Sequence, residues 1–178
     1  MFQTRCYPTR LFAPCLLGLA LVLSACQTPS QPPLAMPTTA PQASLSSDQI
    51  EALKGQGFEL KDEGWTFDLS SKVLFKRDDA QLTPASRAAL ERVGKALLDV
   101  GIDRIRLEGH TDSQGNAGYN HRLSVARAKS VSRALMATGM RPENIFVHGW
   151  GMRRPVADNR TASGRAENRR VAIIVAAQ

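Results

Sequence analysis

"IRLEGHTDSQGNAGYNHRLSVARA", residues 105–128, is the stretch that decides the fold. It opens as an alternation, with Ile105 and Leu107 turned one way and Arg104, Arg106 and Glu108 the other, the period of a half-buried strand facing a core on one side. A turn of small and polar residues, "DSQGNAG", follows, and from about Tyr119 to Thr138 the pattern becomes helical and stops at Gly139. Asp112 stands at the exit of the strand, so its carboxylate is expected at the carboxyl end of a sheet, close to the free N–H groups of a helix start. Arg127 lies four residues from both Leu123 and Val131 and therefore shares their inward side.

A guanidinium facing inward needs an anion or a full set of acceptors, because an unpaired buried charge is costly. Two arrangements satisfy it. Asp112 and Arg127 could form a salt bridge that fixes the helix on the strand. Alternatively, they could form a split site in which Asp112 takes the ammonium and Arg127 the carboxylate of one zwitterionic ligand.

Working outward, Thr83-Pro84 opens a helix with Leu90, Val93 and Leu97 as its apolar stripe and Gly101 past its end. Asp48 before "QIEALKGQGF" reads as the N-cap of a short helix stopped by Gly55 and Gly57. "WTFDL" and "KVLF" read as strands, as do "NIFVHG" and "RRVAIIVAA". Strands alternating with helices at this spacing imply βαβ crossovers. The expected fold is α/β, an α+β sandwich with a βαβαβ core, a final strand and one mixed sheet covered by helices. The segment from Trp150 to Asn168 is too long for a mere connection, and loops of that kind at strand ends tend to carry function.

The front of the chain has a different character. Residues 1–25 carry Arg5 and Arg10, no acid and an apolar run from Leu11 to Leu23 broken by Pro14 and Gly18, the layout of a secretory signal rather than a membrane span. The run ends in "LSAC", which resembles the lipobox of bacterial lipoproteins; that resemblance implies cleavage before Cys26, lipidation of Cys26 and, with Gln27 behind it, delivery to the outer membrane. Several acyl chains on one cysteine make a stable anchor. Cys6 and Cys15 fall in the removed segment, so no disulfide forms within the mature monomer. Residues 26–47 are rich in Pro, Ser, Thr and Gln and read as a disordered tether, about 20 residues that span roughly 65–70 Å when stretched. Residues 48–178 are long enough for one domain with a core of its own.

The formal charge of +7 falls to +5 when Arg5 and Arg10 leave with the signal. Nucleic acid is an unsuitable partner, since the address is outside the cytoplasm and the arginines lack interleaved aromatics. His110, His121 and His148 have no metal-ligand spacing, and no metal or cofactor is read from the chain. Ser124 has no nucleophile elbow around it, and alternation turns Glu108 away from Asp112, so no paired acid and base is assembled and the chain does not read as an enzyme.

"GHTDSQGNAGYNHRLSVARAKSV", with "GWGMRRPVADNRTASGRAENRRVAIIV" downstream, resembles the OmpA-like domain that binds peptidoglycan, over roughly residues 65–176. The resemblance implies that Asp112 and Arg127 hold the ammonium and carboxylate of meso-diaminopimelate in the wall stem peptide. It also implies pocket positions for Thr111 and Asn120, whose other reading is turn and cap chemistry, and for Arg170, whose other reading is a solvated strand-edge cation. Asp78 stands where the family's first loop approaches the ligand, although "FKRDDAQL" departs from the commoner form of that loop.

"DQIEALKGQGFELKDEGWTFDLSSKVLF" is similar to a narrower group within that family, outer-membrane lipoproteins of a three-part signalling system. There a periplasmic YfiR-type repressor restrains a YfiN-type diguanylate cyclase, and the lipoprotein captures the repressor so that cyclic di-GMP rises. This implies a regulatory segment over residues 48–67 and a repressor interface at Phe58, Leu60, Trp65 and Phe67, side chains that could equally pack the first helix and strand onto the sheet. The alternative is a purely structural, Pal-like wall anchor. Oligomeric state stays open, a homodimer included.

Overall fold

A computed structural model describes residues 44–75 and 79–177. The segment 1–25, Cys26, the tether as far as residue 43, and Asp78 lie outside the described residues.

The elements in chain order are α1 (Ser47–Gly55), β1 (Glu59–Lys61), β2 (Gly64–Ser70), α2 (Ser71–Leu74), α3 (Pro84–Asp99), β3 (Ile105–His110), α4 (Ala117–Met136), β4 (Ile145–Gly151), α5 (Ala162–Asn168) and β5 (Arg170–Val175). They build one five-stranded mixed sheet in the order β1-β2-β5-β3-β4. Only β3 and β4 run parallel, across the α4 crossover; β5 is antiparallel to both β2 and β3.

Leu90, Val93 and Leu97 of α3 and Ala128, Val131 and Leu135 of α4 pack against Ile105 and Leu107 of β3 and Val171, Ile173 and Val175 of β5. Each buried Leu, Ile or Val among them contributes about 1.5–3 kcal/mol. Two glycines set how closely α4 approaches. A Cβ on Gly109 would overlap the Ser124 carbonyl, and one on Gly149 would overlap the side chains of Val125 and Ser124. The helix that carries Asn120 and Arg127 is therefore seated directly on the strands.

The structure corrects the sequence expectations at several places. α1 is capped by Ser46 rather than Asp48, through a box in which Gln49 N donates to Ser46 Oγ at 3.2 Å and Ser46 N donates to Gln49 Oε1 at 2.9 Å. Leu45 packs against the core, so the ordered chain starts before residue 48. "KVLF" is not a strand. The β2–β5 ladder ends at the pair Ser70–Arg170, and the chain turns into the single helical turn of α2, with Phe75 bridging to Leu82. A four-residue apolar run does not distinguish the two forms. α4 spans 117–136 because Asn116 caps it, its Oδ1 accepting from Tyr119 N at 2.8 Å. The segment from Trp150 to Asn168 holds α5, capped by Thr161.

Glu108 faces away from the helices, as alternation requires, yet it is only 5% exposed. Charged side chains fold over it on that outer face: Arg106 Nε donates to its Oε1 at 2.9 Å, and Arg154 Nη1 lies 3.9 Å from its Oε2.

Candidate functional site

The β3 ladder ends at His110, and the turn from Thr111 to Asn116 carries the backbone away before α4 returns along the sheet. This brings the end of β3, the first half of α4, α2 and the start of β5 around one cavity of about 570 Å³. Asp112, Arg127, Asn120 and Thr111 all line it, together with Ser71, Lys72, Phe75, Tyr119 and Arg169.

Asp112 is 6% exposed. Its Oδ1 accepts from Gln114 N at 3.0 Å, and its Oδ2 accepts from Arg169 Nη1 at 2.6 Å. Arg127 is equally buried. Its Nε donates to the Asp79 carbonyl at 3.2 Å, and its guanidinium lies 5.3 Å from the centre of the Phe75 ring. Asp112 thus takes its ion pair from Arg169 rather than from Arg127, so the simple salt bridge across strand and helix is not what the structure builds. Two opposite charges border one space without closing on each other.

Asn120 ties the turn to the helix. Its Nδ2 donates to the Gln114 carbonyl at 2.8 Å and lies 3.4 Å from the Asp112 carbonyl, while the capping role belongs to Asn116. Thr111 Oγ1 donates to the Asp112 carbonyl at 2.9 Å. Both residues therefore shape the backbone beneath Asp112.

Arg170 stands elsewhere. Its Nε donates to Asp68 Oδ1 at 3.0 Å on the outer face, and the cavity position belongs to its neighbour Arg169. Consecutive residues of an extended chain point to opposite sides. Counting back from Val171, a core residue, puts Arg170 outward and Arg169 on the cavity side, a parity signal available in the sequence.

The long loop is fastened to the same place. Asn168, wholly buried, accepts at Oδ1 from Val156 N and Ala157 N and donates through Nδ2 to the Ala157 carbonyl and Asn159 Oδ1. Asn159 Oδ1 in turn accepts from Ser113 N at 3.1 Å, which stitches the loop to the turn beside Asp112.

Of the four side chains expected at a protein interface, Phe58 and Trp65 are buried in the core at 3% and 8% exposure, and Phe67 is half-buried with its ring 5.3 Å from that of Phe58. Leu60, on the edge strand β1, is 62% exposed. For Phe58 and Trp65, packing of α1 and the hairpin onto the sheet is what the structure displays.

His110, next to this turn, points to the outer face. It is 2% exposed, and neither ring nitrogen has a hydrogen-bond partner among the described residues. Burial, with Arg170 nearby, lowers its pKa to about 3, so it is neutral and its 3.8 Å approach to Glu108 is no ion pair at neutral pH.

The model for the OmpA family matches residues 74–169. The chain is 51% identical to the outer-membrane lipoprotein YfiB of Pseudomonas aeruginosa over 178 residues, covering 100% of both chains. Among solved structures, the cell wall anchor of the type VI secretion system from Pseudomonas aeruginosa matches with a TM-score of 0.60 at 30% identity, covering 74% of this chain and 95% of that one. The peptidoglycan-associated lipoprotein from Burkholderia pseudomallei matches with a TM-score of 0.52 at 28% identity, covering 57% and 86%.

Proposed function

We propose, from the premise that the chain belongs to the OmpA family, that its domain binds peptidoglycan non-covalently by holding the diaminopimelate of the stem peptide between Asp112 and Arg127. The chain is an outer-membrane lipoprotein with this domain facing the periplasm. Cys26 is the proposed point of lipid attachment, and the segment that follows it, read from the sequence as residues 27–47, the proposed tether between membrane and wall.

The observation that carries the reading is that an acid and a base, each 6% exposed, line the same cavity and are not paired with each other. A ligand with an ammonium at one end and a carboxylate at the other fits that arrangement, and Asn120, Thr111 and Arg169 hold the acid in place. We read the arrangement as one for binding: among the described residues Asp112 is the one acid lining the cavity, and its carboxylate is held by Arg169. The test is retention on purified sacculi. Exchange of the two charges, Asp112→Arg with Arg127→Asp, abolishes retention of a folded protein if the reading holds, and unchanged retention discards it.

A signalling output is the second part of the proposal. The alignment with YfiB covers the whole chain and so includes residues 44–70, which the family model leaves unmatched; this favours a dedicated role for the segment. In that role it captures a YfiR-type repressor and thereby frees a YfiN-type diguanylate cyclase to raise cyclic di-GMP. Leu60, exposed on the edge strand, is the contact to test. Leu60→Asp abolishes pull-down of such a repressor while wall retention persists. A wild-type protein that captures no repressor is instead a purely structural anchor of the Pal kind.

A further inference from the structure

The cavity contains more recognition chemistry than one zwitterionic amino acid uses. Ser71 lines the cavity and is 5% exposed, and its buried Oγ has no hydrogen-bond partner among the described residues. A hydroxyl left in that condition costs about 1–3 kcal/mol, so a position that keeps one calls for an occupant. Its backbone is fixed, because Ser71 N donates to the Arg169 carbonyl at 2.8 Å. That bond holds α2 against the residue that pairs with Asp112. The next residue, Lys72, lines the same cavity, is exposed and has no ion-pair partner among the described residues. It is not required by Asp112, whose carboxylate already sits 2.6 Å from Arg169.

We infer that Ser71 and Lys72 form a second anionic subsite, which takes a carboxylate of the wall peptide other than the one held by Arg127. This rests on the wall-peptide reading of Asp112 and Arg127. A hydroxyl that donates and an ammonium, on consecutive residues of one short helix and facing one space, are the groups that meet a carboxylate: one directional bond and one charge contact. The ligand class is therefore a peptide in which the diamino acid has a free main-chain carboxylate close by, either its own or that of the residue before it. Peptides with that group amidated are the poorer ligands. The segment that supplies the subsite also continues directly from β2, so the choice of wall peptide is made by the strand that leads out of the first hairpin.

The experiment uses the full-length lipoprotein in detergent and two synthetic stem tripeptides with the same free diamino end, one with its main-chain carboxyl groups free and one with them amidated. Wild type binds the free form about tenfold more tightly, the difference expected of one charge-assisted bond. Lys72→Gln brings the two affinities to within about twofold by weakening the free form alone, and Ser71→Ala lowers affinity for the free form several-fold while thermal stability is kept or raised, since the hydroxyl removed makes no internal bond. Equal wild-type affinities for the two peptides, or an undiminished preference in Lys72→Gln, overturn the subsite and leave the Asp112–Arg127 reading standing. A wild-type protein that binds neither peptide overturns both.

Discussion

On the outer face of the sheet Glu63 lies 2.6 Å from Arg154 and 2.9 Å from Arg106, while Asp68 lies 2.6 Å from Lys61 and 3.0 Å from Arg170. At the carboxyl end of β3 the same residue types behave otherwise, because Asp112 and Arg127 border one cavity and take their partners from different directions. The outer face has closed its charges on one another and covered Glu108, His110, Ala172 and Ile174 in doing so. The cavity keeps an acid and a base apart across a space that a molecule can enter. Charge density alone therefore does not mark the site; the pairing pattern does.

Substitutions on the two sides should separate in size and in readout. The largest effect is expected in the cavity: Asp112→Ala or Arg127→Ala weakens wall retention by roughly 100-fold or more, as truncating one member of a buried charge contact does, measured by sedimentation with purified sacculi. Equal losses from Glu63→Ala would break the comparison.

Next comes acid stability, which belongs to the outer face. Folded His110 resists protonation down to about pH 3, whereas the unfolded chain protonates it near its ordinary 6.5, so the unfolded state binds the extra proton between those values. Stability is complete above pH 6.5 and falls by up to a few kcal/mol as the pH drops towards 3. Urea melts across that range should display the slope, and His110→Gln should flatten it.

Gly149→Ala pushes α4 off β4 through Val125 and Ser124 and is expected to cost about 1–3 kcal/mol by overpacking, seen as a lower melting temperature. Because it moves the helix that carries Arg127, it should weaken wall retention as well. The smallest effect is Glu63→Gln, below about 1 kcal/mol because this network is largely exposed, with retention untouched.

Local signals were sufficient for much of the fold. Thr83-Pro84 and Gly101 bracket α3, and the spacing of Leu123, Arg127 and Val131 puts the guanidinium inside. Asp112 and Arg127 come to one cavity because a strand exit and the inward face of the next crossover helix must lie at the same end of a sheet. What the sequence did not reveal depends on partners distant along the chain. "KVLF" becomes a helical turn because β5 ends the ladder at Ser70, and Glu108 is buried because Arg154, far along the chain, lies over it. Arg169, and not Arg170, lines the cavity because one step along an extended chain exchanges the two faces.

The position of β5 has a consequence for how the molecule comes into being. It is the last strand in chain order, yet it stands third in the sheet, between the hairpin at one edge and the parallel pair at the other. Until it arrives, β2 and β3 have no ladder to share, and the sheet stays in two pieces. A polypeptide threaded amino end first through a translocation channel would thus leave the sheet incomplete until residues 170–175 had passed.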